Sequence, residues 1–259
     1  MLLAVDIGNT TIALGLLDKD KALKTWRIET ALRPQKLEAK LRRIFLTTQN
    51  RAETVVICSV VPRVLSSVVA IARKSTGKNP LVIGRHLSVP IRNRYRNPRQ
   101  VGQDRLVCAY AAMKRYGKPV IVVDLGTAIT LDAVSKKGEY LGGIIVPGIR
   151  LSAESLFKKT ALLPKIRIGT PREVIGRDTK GSILSGLFYG YGALCSGLIG
   201  LISKKIGPGC KIVITGGHAA LMKKFISKKI TSIDANLVFY GIYLVYKTLN
   251  RKNNAKHTS

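Results

Sequence analysis

The sequence predicts an α/β protein made of two similar halves. Three observations say so: a strand-turn motif that occurs twice, the order of strand-like and helix-like segments after each copy, and a length of 259 residues, enough for each half to hold a core. The motif reads Asp6-Ile7-Gly8-Asn9-Thr10 in the first half and Asp124-Leu125-Gly126-Thr127-Ala128-Ile129-Thr130 in the second. Each follows a β-branched apolar run, so each Asp falls at a strand end, where a carboxylate can meet a hydrated cation. Gly8 and Gly126 have no Cβ, which lets the chain turn tightly and lets phosphate oxygens approach the following N–H groups. Asn9, Thr10 and Thr127 add amide and hydroxyl donors. One copy alone reads equally well as an ordinary hairpin turn. Two copies, each opening a half of similar length, read as a nucleotide-phosphate and metal cradle built twice. The chain has neither the Gly-x-x-x-x-Gly-Lys-Ser/Thr P-loop nor a Gly-x-Gly-x-x-Gly fingerprint after a strand.

Taken in order, the patterns predict strands near residues 2–6, 11–17 and 22–28, then an amphipathic helix from Pro34 to Thr48. A strand over 54–59, a helix after Pro62 and a short strand around 81–83 follow. Residues 92–99, Arg-Asn-Arg-Tyr-Arg-Asn-Pro-Arg, form a polar, positively charged loop. Val101-Gly102-Gln103-Asp104-Arg105 then opens a helix through Met113, with Asp104 in its first turn, where the helix dipole favours an ionised carboxylate. The second half restarts with strands over 119–124, 128–134 and 139–146, followed by helices over 149–158 and 180–204. A strand over 211–215 ends at Gly216-Gly217, and a basic helix and an apolar one, residues 236–249, close the fold. The expected division is 1–117, 118–249 and a disordered basic tail, 250–259.

Composition narrows the function. The net charge of +30 is extreme for an enzyme, so an anionic partner such as nucleic acid or membrane lipid has to be considered. The basic residues are nevertheless scattered, with modest clusters at 92–99, 223–229 and 247–256, and no helix-turn-helix, zinc-finger or aromatic RNA-binding signature accompanies them. Any nucleic-acid binding is therefore expected to be non-specific and electrostatic. Only 14 acids occur, yet Asp6, Asp104, Asp124 and Asp132 all sit in apolar or glycine-marked motifs. Cys58, Cys108, Cys195 and Cys210 lack Cys-x-x-Cys spacing and read as reduced core thiols, which argues against zinc. Asp6 interrupts the first apolar run, so the start does not read as a secretory signal, and a cytoplasmic location is expected. The apolar stretch 183–202 is punctuated by Gly186, Gly190, Gly192, Gly197 and Gly200. It predicts a closely packed helix, suited to a subunit contact more than to a bilayer.

Asp6-Ile-Gly-Asn-Thr10, Asn97-Pro98 with Gly102-Gln-Asp-Arg105, Asp124-Leu-Gly-Thr127 and Gly142-Gly-Ile-Ile-Val-Pro-Gly148 together resemble the type III pantothenate kinase family, in order and spacing and over nearly the whole chain. The resemblance implies two ribonuclease-H-like halves with a nucleotide cleft between them, the superfold of acetate and sugar kinases, Hsc70 and actin. It implies ATP-dependent phosphorylation of pantothenate to 4′-phosphopantothenate, the first step of coenzyme A biosynthesis, by a homodimer needing Mg2+ and a monovalent cation, K+ or NH4+. Two rival readings are a non-catalytic accessory or regulatory protein of the same fold, and a basic nucleic-acid-binding protein. Retention of Asp104, Asp124 and Thr127 argues against the first.

Carried over by motif, residues Asp6, Ile7, Gly8, Asn9, Thr10, Thr11, Ile12 and Ala13 would form the ATP phosphate loop, with Asp6 on the magnesium side. Asp104 would be the general base for the pantothenate hydroxyl; a plain capping Asp is the structural alternative. Gly102, Gln103 and Arg105 beside it would contact the substrate, Arg105 pairing with the pantothenate carboxylate or a phosphate oxygen. Tyr95 matches a substrate-contacting tyrosine. Asp124 would hold the monovalent cation, or serve as a second magnesium-side carboxylate, and Thr127 would contact ATP. Thr179, in Gly176-Arg-Asp-Thr-Lys180, matches a threonine supplied to the pantothenate pocket by the partner subunit, although Asp178 stands where the family usually has Asn. Asp132 has no assigned role beyond a turn or supporting one.

Overall fold

The computed structural model describes the backbone of residues 1–256 and the side chains of residues 1–249. The chain divides into two units: one comprises Met1–Arg92, Arg96–Lys114 and the chain from Asn236 onward, the other Asn93–Tyr95 and Arg115–Ala235. Each is a mixed sheet flanked by helices.

The first unit contains strands β1 (Leu2–Ile7), β2 (Thr11–Asp18), β3 (Lys21–Glu29), β4 (Thr54–Ser59) and β5 (Leu81–Val82), with helices α1 (Pro34–Thr48) and α2 (Pro62–Thr76) between them. The sheet order is β3-β2-β1-β4-β5; β1 runs antiparallel to β2 and parallel to β4. Strand alternation sorts β1 into two faces. Leu3, Val5 and Ile7 join Leu37, Leu41 and Phe45 of α1 and Leu65 and Val68 of α2 in one core. Leu2 and Ala4 join Cys58, with Val107 and Tyr110 of α3 (Gln103–Tyr116), in another.

The second unit adds β6 (Arg92–Asn93), β7 (Val120–Leu125), β8 (Ala128–Val134), β9 (Glu139–Pro147), β10 (Lys211–Thr215) and β11 (Ser232–Ile233), with α4 (Ile149–Lys159), α5 (Thr179–Ser185), α6 (Tyr191–Ile206) and α7 (Ala219–Met222). Its sheet order is β11-β10-β7-β8-β9-β6. Apart from the extra edge strand β6, this is the first sheet again: a three-stranded antiparallel meander, then two strands parallel to the first. The repeat read from the sequence is thus a repeat of topology, that of a duplicated ribonuclease-H-like fold.

The structure departs from expectation at four places. The final helix, α8 (Leu237–Lys256), belongs with the first unit, because Phe239, Ile242 and Val245 fill the face of β1 that α3 leaves open. A Cβ on Gly15 would stand 3.0 Å from the Phe239 ring, and one on Gly241 would stand 2.5 Å from Val107. The backbone of α8 is helical to Lys256, past the expected start of a disordered tail at Asn250; residues 257–259 lie outside those described. The expected basic helix after Gly217 is the short α7 and a 3-10 turn, Lys223–Phe225, followed by the unforeseen β11. The helix expected over 180–204 is α5 and α6 joined by a π-turn at Gly186–Gly190.

That joined stretch, Thr179–Ile206, is long and apolar enough to cross a membrane by length and composition, yet half of its most apolar window is buried. Leu187, Phe188, Cys195 and Ile199 share a core with Ile121 and Val123 of β7. Because α8 completes the first unit, Phe239→Ala is expected to cost about 3–5 kcal/mol. Hydrogen exchange checks the placement: amides of β1 and β2 should lose protection, and those of β7 and β10 should not.

Candidate active site

In the first unit the site grows from the end of β1. Ile7 pairs with Ile12 across the hairpin, and the Gly8 N–H donates to the Thr11 carbonyl at 3.0 Å, closing a tight turn that leaves Asn9 exposed at its tip. The buried Thr30, just after β3, pins this turn: its hydroxyl donates to the Gly8 carbonyl at 2.8 Å and its N–H to the Thr10 carbonyl at 2.9 Å. Nothing in the motif pointed to Thr30; only the β2–β3 pairing brings it there. Ile7, Ile12 and Ala13 are buried, so their side chains serve the cores, and the turn itself spans Gly8 to Thr11.

Alternation puts Asp6 on the face of β1 opposite α1 and α2, beside Cys58, its register partner on β4. Asp104 approaches the same place from the first turn of α3. Burial pushes the Cys58 thiol well up, and the charges of Asp6 and Asp104 push it further, so both carboxylates act on one buried sulfur. Asp104 Oδ1 accepts the Arg105 N–H at 2.8 Å, and the Gly102 carbonyl accepts the Leu106 N–H that starts the helix. A Cβ on Gly102 would stand 2.5 Å from Asp104 Oδ1, so only glycine admits this carboxylate position. Gln103 lies against Gly84, at 3.1 Å from a Cβ built there. Asp6, Gly8–Thr11 and Gly102–Arg105 are therefore all parts of the first unit.

The second unit repeats the plan with a shorter turn. Asp124, the residue before last of β7, pairs with Thr130, Leu125 pairs with Ile129, and the Gly126 N–H donates to the Ala128 carbonyl at 3.1 Å. The turn is one residue shorter than its counterpart, with Thr127 exposed at its tip and its carbonyl accepting the Gly148 N–H at 3.0 Å. Asp124 Oδ1 lies against Gly126 and Gly216. Gly216 has φ +94° and no room for a Cβ beside Asp124 and Leu125. His218, also unforeseen, braces this turn: its N–H donates to the Leu125 carbonyl at 3.0 Å and its Nδ1 lies 3.3 Å from the same oxygen. Burial, aided by Arg150 and opposed by the Leu125 carbonyl, holds the imidazole below its ordinary 6.5.

Tyr95 also belongs to the second unit. Its N–H donates to Asn93 Oδ1 at 2.9 Å, and its ring lies across Gly142 of β9. Thr179 starts α5 and is exposed, behind the Asp178 cap that accepts the Gly181 N–H at 2.6 Å. Asp132 is buried and accepts the Tyr140 hydroxyl at 2.7 Å and the Thr130 hydroxyl at 3.1 Å, a supporting role inside the sheet.

Two turns that each follow a strand carboxylate, on duplicated sheets, suit phosphoryl transfer, and comparison with known proteins says which family carries them. The sequence profile described as type III pantothenate kinase matches residues 2–200. The chain belongs to the type III pantothenate kinase family. It is 42% identical over 252 residues to the type III pantothenate kinase of Persephonella marina, covering 95% of this chain and 98% of that one. It is 39% identical over 251 residues to that of Myxococcus xanthus, with 95% and 98% covered. Among solved structures, a Campylobacter jejuni protein assigned to the Baf family of transcriptional activators matches with TM-score 0.61 at 20% identity, covering 96% of this chain and 99% of that one. A ROK family glucokinase from Streptomyces griseus, solved with glucose and AMPPNP, matches with TM-score 0.53 at 14% identity over 95% and 99%. These two likenesses show the fold.

Two outcomes follow for the kinase. Gly102→Ala forces the Asp104 carboxylate aside and is expected to lower kcat about a hundredfold, with the protein still folded by circular dichroism. For His218, the folded ring resists a proton that the unfolded chain accepts. Its contribution is fully present above pH 6.5 and declines as the pH falls below that value. His218→Gln should therefore show a smaller loss of urea midpoint than the parent between about pH 7 and 5.

Proposed function

We propose that this pantothenate kinase transfers the γ-phosphoryl group of ATP to the primary hydroxyl of pantothenate with Asp104 as the general base. The products are ADP and 4′-phosphopantothenate, the first intermediate on the route to coenzyme A. The observation that carries the assignment is the placement of Asp6 near a strand end, beside its register partner Cys58, and of Asp104 in the first turn of a helix of the same unit, its Oδ1 fixed by the Arg105 N–H; both charges raise the Cys58 thiol. One carboxylate stands on the strand just before the turn that suits phosphates, the other on a helix whose first turn favours the ionised form a base needs.

In this reading the N–H groups and side chains of Asn9, Thr10 and Thr11 bind phosphate oxygens. Thr127 also contacts ATP. Asp104 accepts the hydroxyl proton as the oxygen attacks phosphorus and the bond to the ADP oxygen breaks. Phosphoryl transfer with a loose transition state asks for little base strength, so a carboxylate locked by Gly102 and the Arg105 N–H acts as much by holding the hydroxyl in line as by taking its proton. Gln103, Arg105 and Tyr95 orient pantothenate, and Arg105 pairs with its carboxylate. Thr179 reaches the pantothenate pocket of a partner copy. Exposed Leu141, Ile145, Leu151 and Leu201 of the second unit support a homodimer.

Mg2+ and a monovalent cation fit the residues present. Among the described residues no group of three or more His, Cys, Asp or Glu forms a ready cage. That suits Mg2+, which takes one or two carboxylates and fills its shell with water and phosphate oxygens. Asp6 would hold it. Asp124, an oxygen donor set among glycines, would hold K+ or NH4+. When bound, these cations offset negative charge on the phosphates. Four free cysteines, three of them buried, accord with the reducing cytoplasm as the working compartment.

The test is phosphorylation of pantothenate by purified protein with Mg-ATP, with and without K+, comparing the parent with Asp104→Asn. Product that depends on K+ and falls about 10²- to 10⁴-fold in the folded variant is the expected result. No product from folded parent protein with any nucleoside triphosphate would sink this reading.

A further inference from the structure

A groove in the first unit lies outside everything the reaction uses. It runs between α1 and α2 and encloses about 480 Å3, a volume suited to a small molecule. Leu32, Leu37, Val64 and Ile71 give it an apolar lining. Arg42, Arg63 and Lys74 also line it, against the single carboxylate of Glu38. Among the described residues these three cations form no ion pair. Thr30 lines the groove as well, and Thr30 is the residue whose hydroxyl and N–H hold the Gly8–Thr11 turn.

We propose that this groove binds an organic anion with an apolar body, of the class of medium-chain carboxylates, and that its occupation changes the affinity of the Gly8–Thr11 turn for nucleotide. An apolar lining rewards methylene groups removed from water. Three cations without carboxylate partners, set against one acid, select a negative head and disfavour a positive one. An occupant touching Thr30 favours one arrangement of the side chain that fixes the Gly8 carbonyl, and by linkage nucleotide then changes the affinity of the groove by the same factor. The coupling rests on the reading of that turn as the phosphate loop; occupancy of the groove does not.

The experiment titrates dodecanoate into the whole protein by calorimetry without nucleotide, with dodecyltrimethylammonium as the control of opposite charge. Ala70→Trp, at an exposed groove-lining position on α2, fills the space, and Arg63→Glu reverses one cation. The expected result is saturable binding of one equivalent to the parent, weakened at least about tenfold in each variant, and none of the cationic control. Affinity for Mg-ATP should then shift at least about twofold with dodecanoate in the parent and stay constant in Ala70→Trp. Binding of many equivalents, or equal binding by Ala70→Trp with an unchanged melting temperature, overturns the site. If that variant does not fold, Arg63→Glu decides in the same way. Binding of one equivalent with no shift in Mg-ATP affinity overturns the coupling. A parent protein that binds dodecanoate and no nucleotide counts against the phosphate-loop reading instead.

Discussion

The placement of Asp6, and with it the site proposed for the first unit, depends on the two-residue alternation of one strand. Because β1 is central and paired on both sides, its register is locked by six rungs to β2 and six to β4. A slip of one residue would turn Leu3, Val5 and Ile7 away from α1 and α2 and bury Asp6 among them, at the cost of a core and an unpaired charge. The apolar faces thus hold the carboxylate beside Cys58, on which Asp104 also acts. The rigid element sets the position and, in the function proposed, the turn after it does the binding, a division of labour common to sites carried on loops over a fixed scaffold.

Duplication supplied the second turn, but the two copies have diverged in the way their surroundings require. The first is held from outside by Thr30, which occupies two carbonyls of the turn, those of Gly8 and Thr10. The second is one residue shorter and is held by Gly148 and His218. There the backbone around Asp124 is so close that Gly216 cannot carry a side chain. A longer, amide-rich turn suits phosphate oxygens. A compact one wrapped around a carboxylate suits a small cation.

Much of this was legible in the sequence because the signals are local. Pro34 starts α1, Pro62 starts α2, and the apolar runs over residues 54–59, 128–134 and 211–215 mark β4, β8 and β10 at the bounds the structure gives. The strand-end aspartates and the Gly102–Arg105 helix start were readable for the same reason. What the sequence withheld is set by tertiary pairing. Thr30 and His218 carry no motif and act through backbone carbonyls brought to them by other strands. The two-residue strands β6 and β11 are too short to show a period. The apolar stripe of α8 is plain, but a stripe does not say which sheet it will cover, and proximity in sequence pointed to the wrong one.

The return of α8 also sets an order of events on the ribosome. Residues 115–235 emerge, with all the strands and helices their unit needs from that span, before Phe239, Ile242 and Val245 have been translated. The unit that begins the chain is therefore the last to close its core. Until α8 arrives, the face of β1 that carries Leu2 and Ala4 lacks the part of its cover that α3 does not supply. Nascent chains of this kinase expose that apolar face longest, so it is where a chaperone that reads hydrophobic surface has its opportunity.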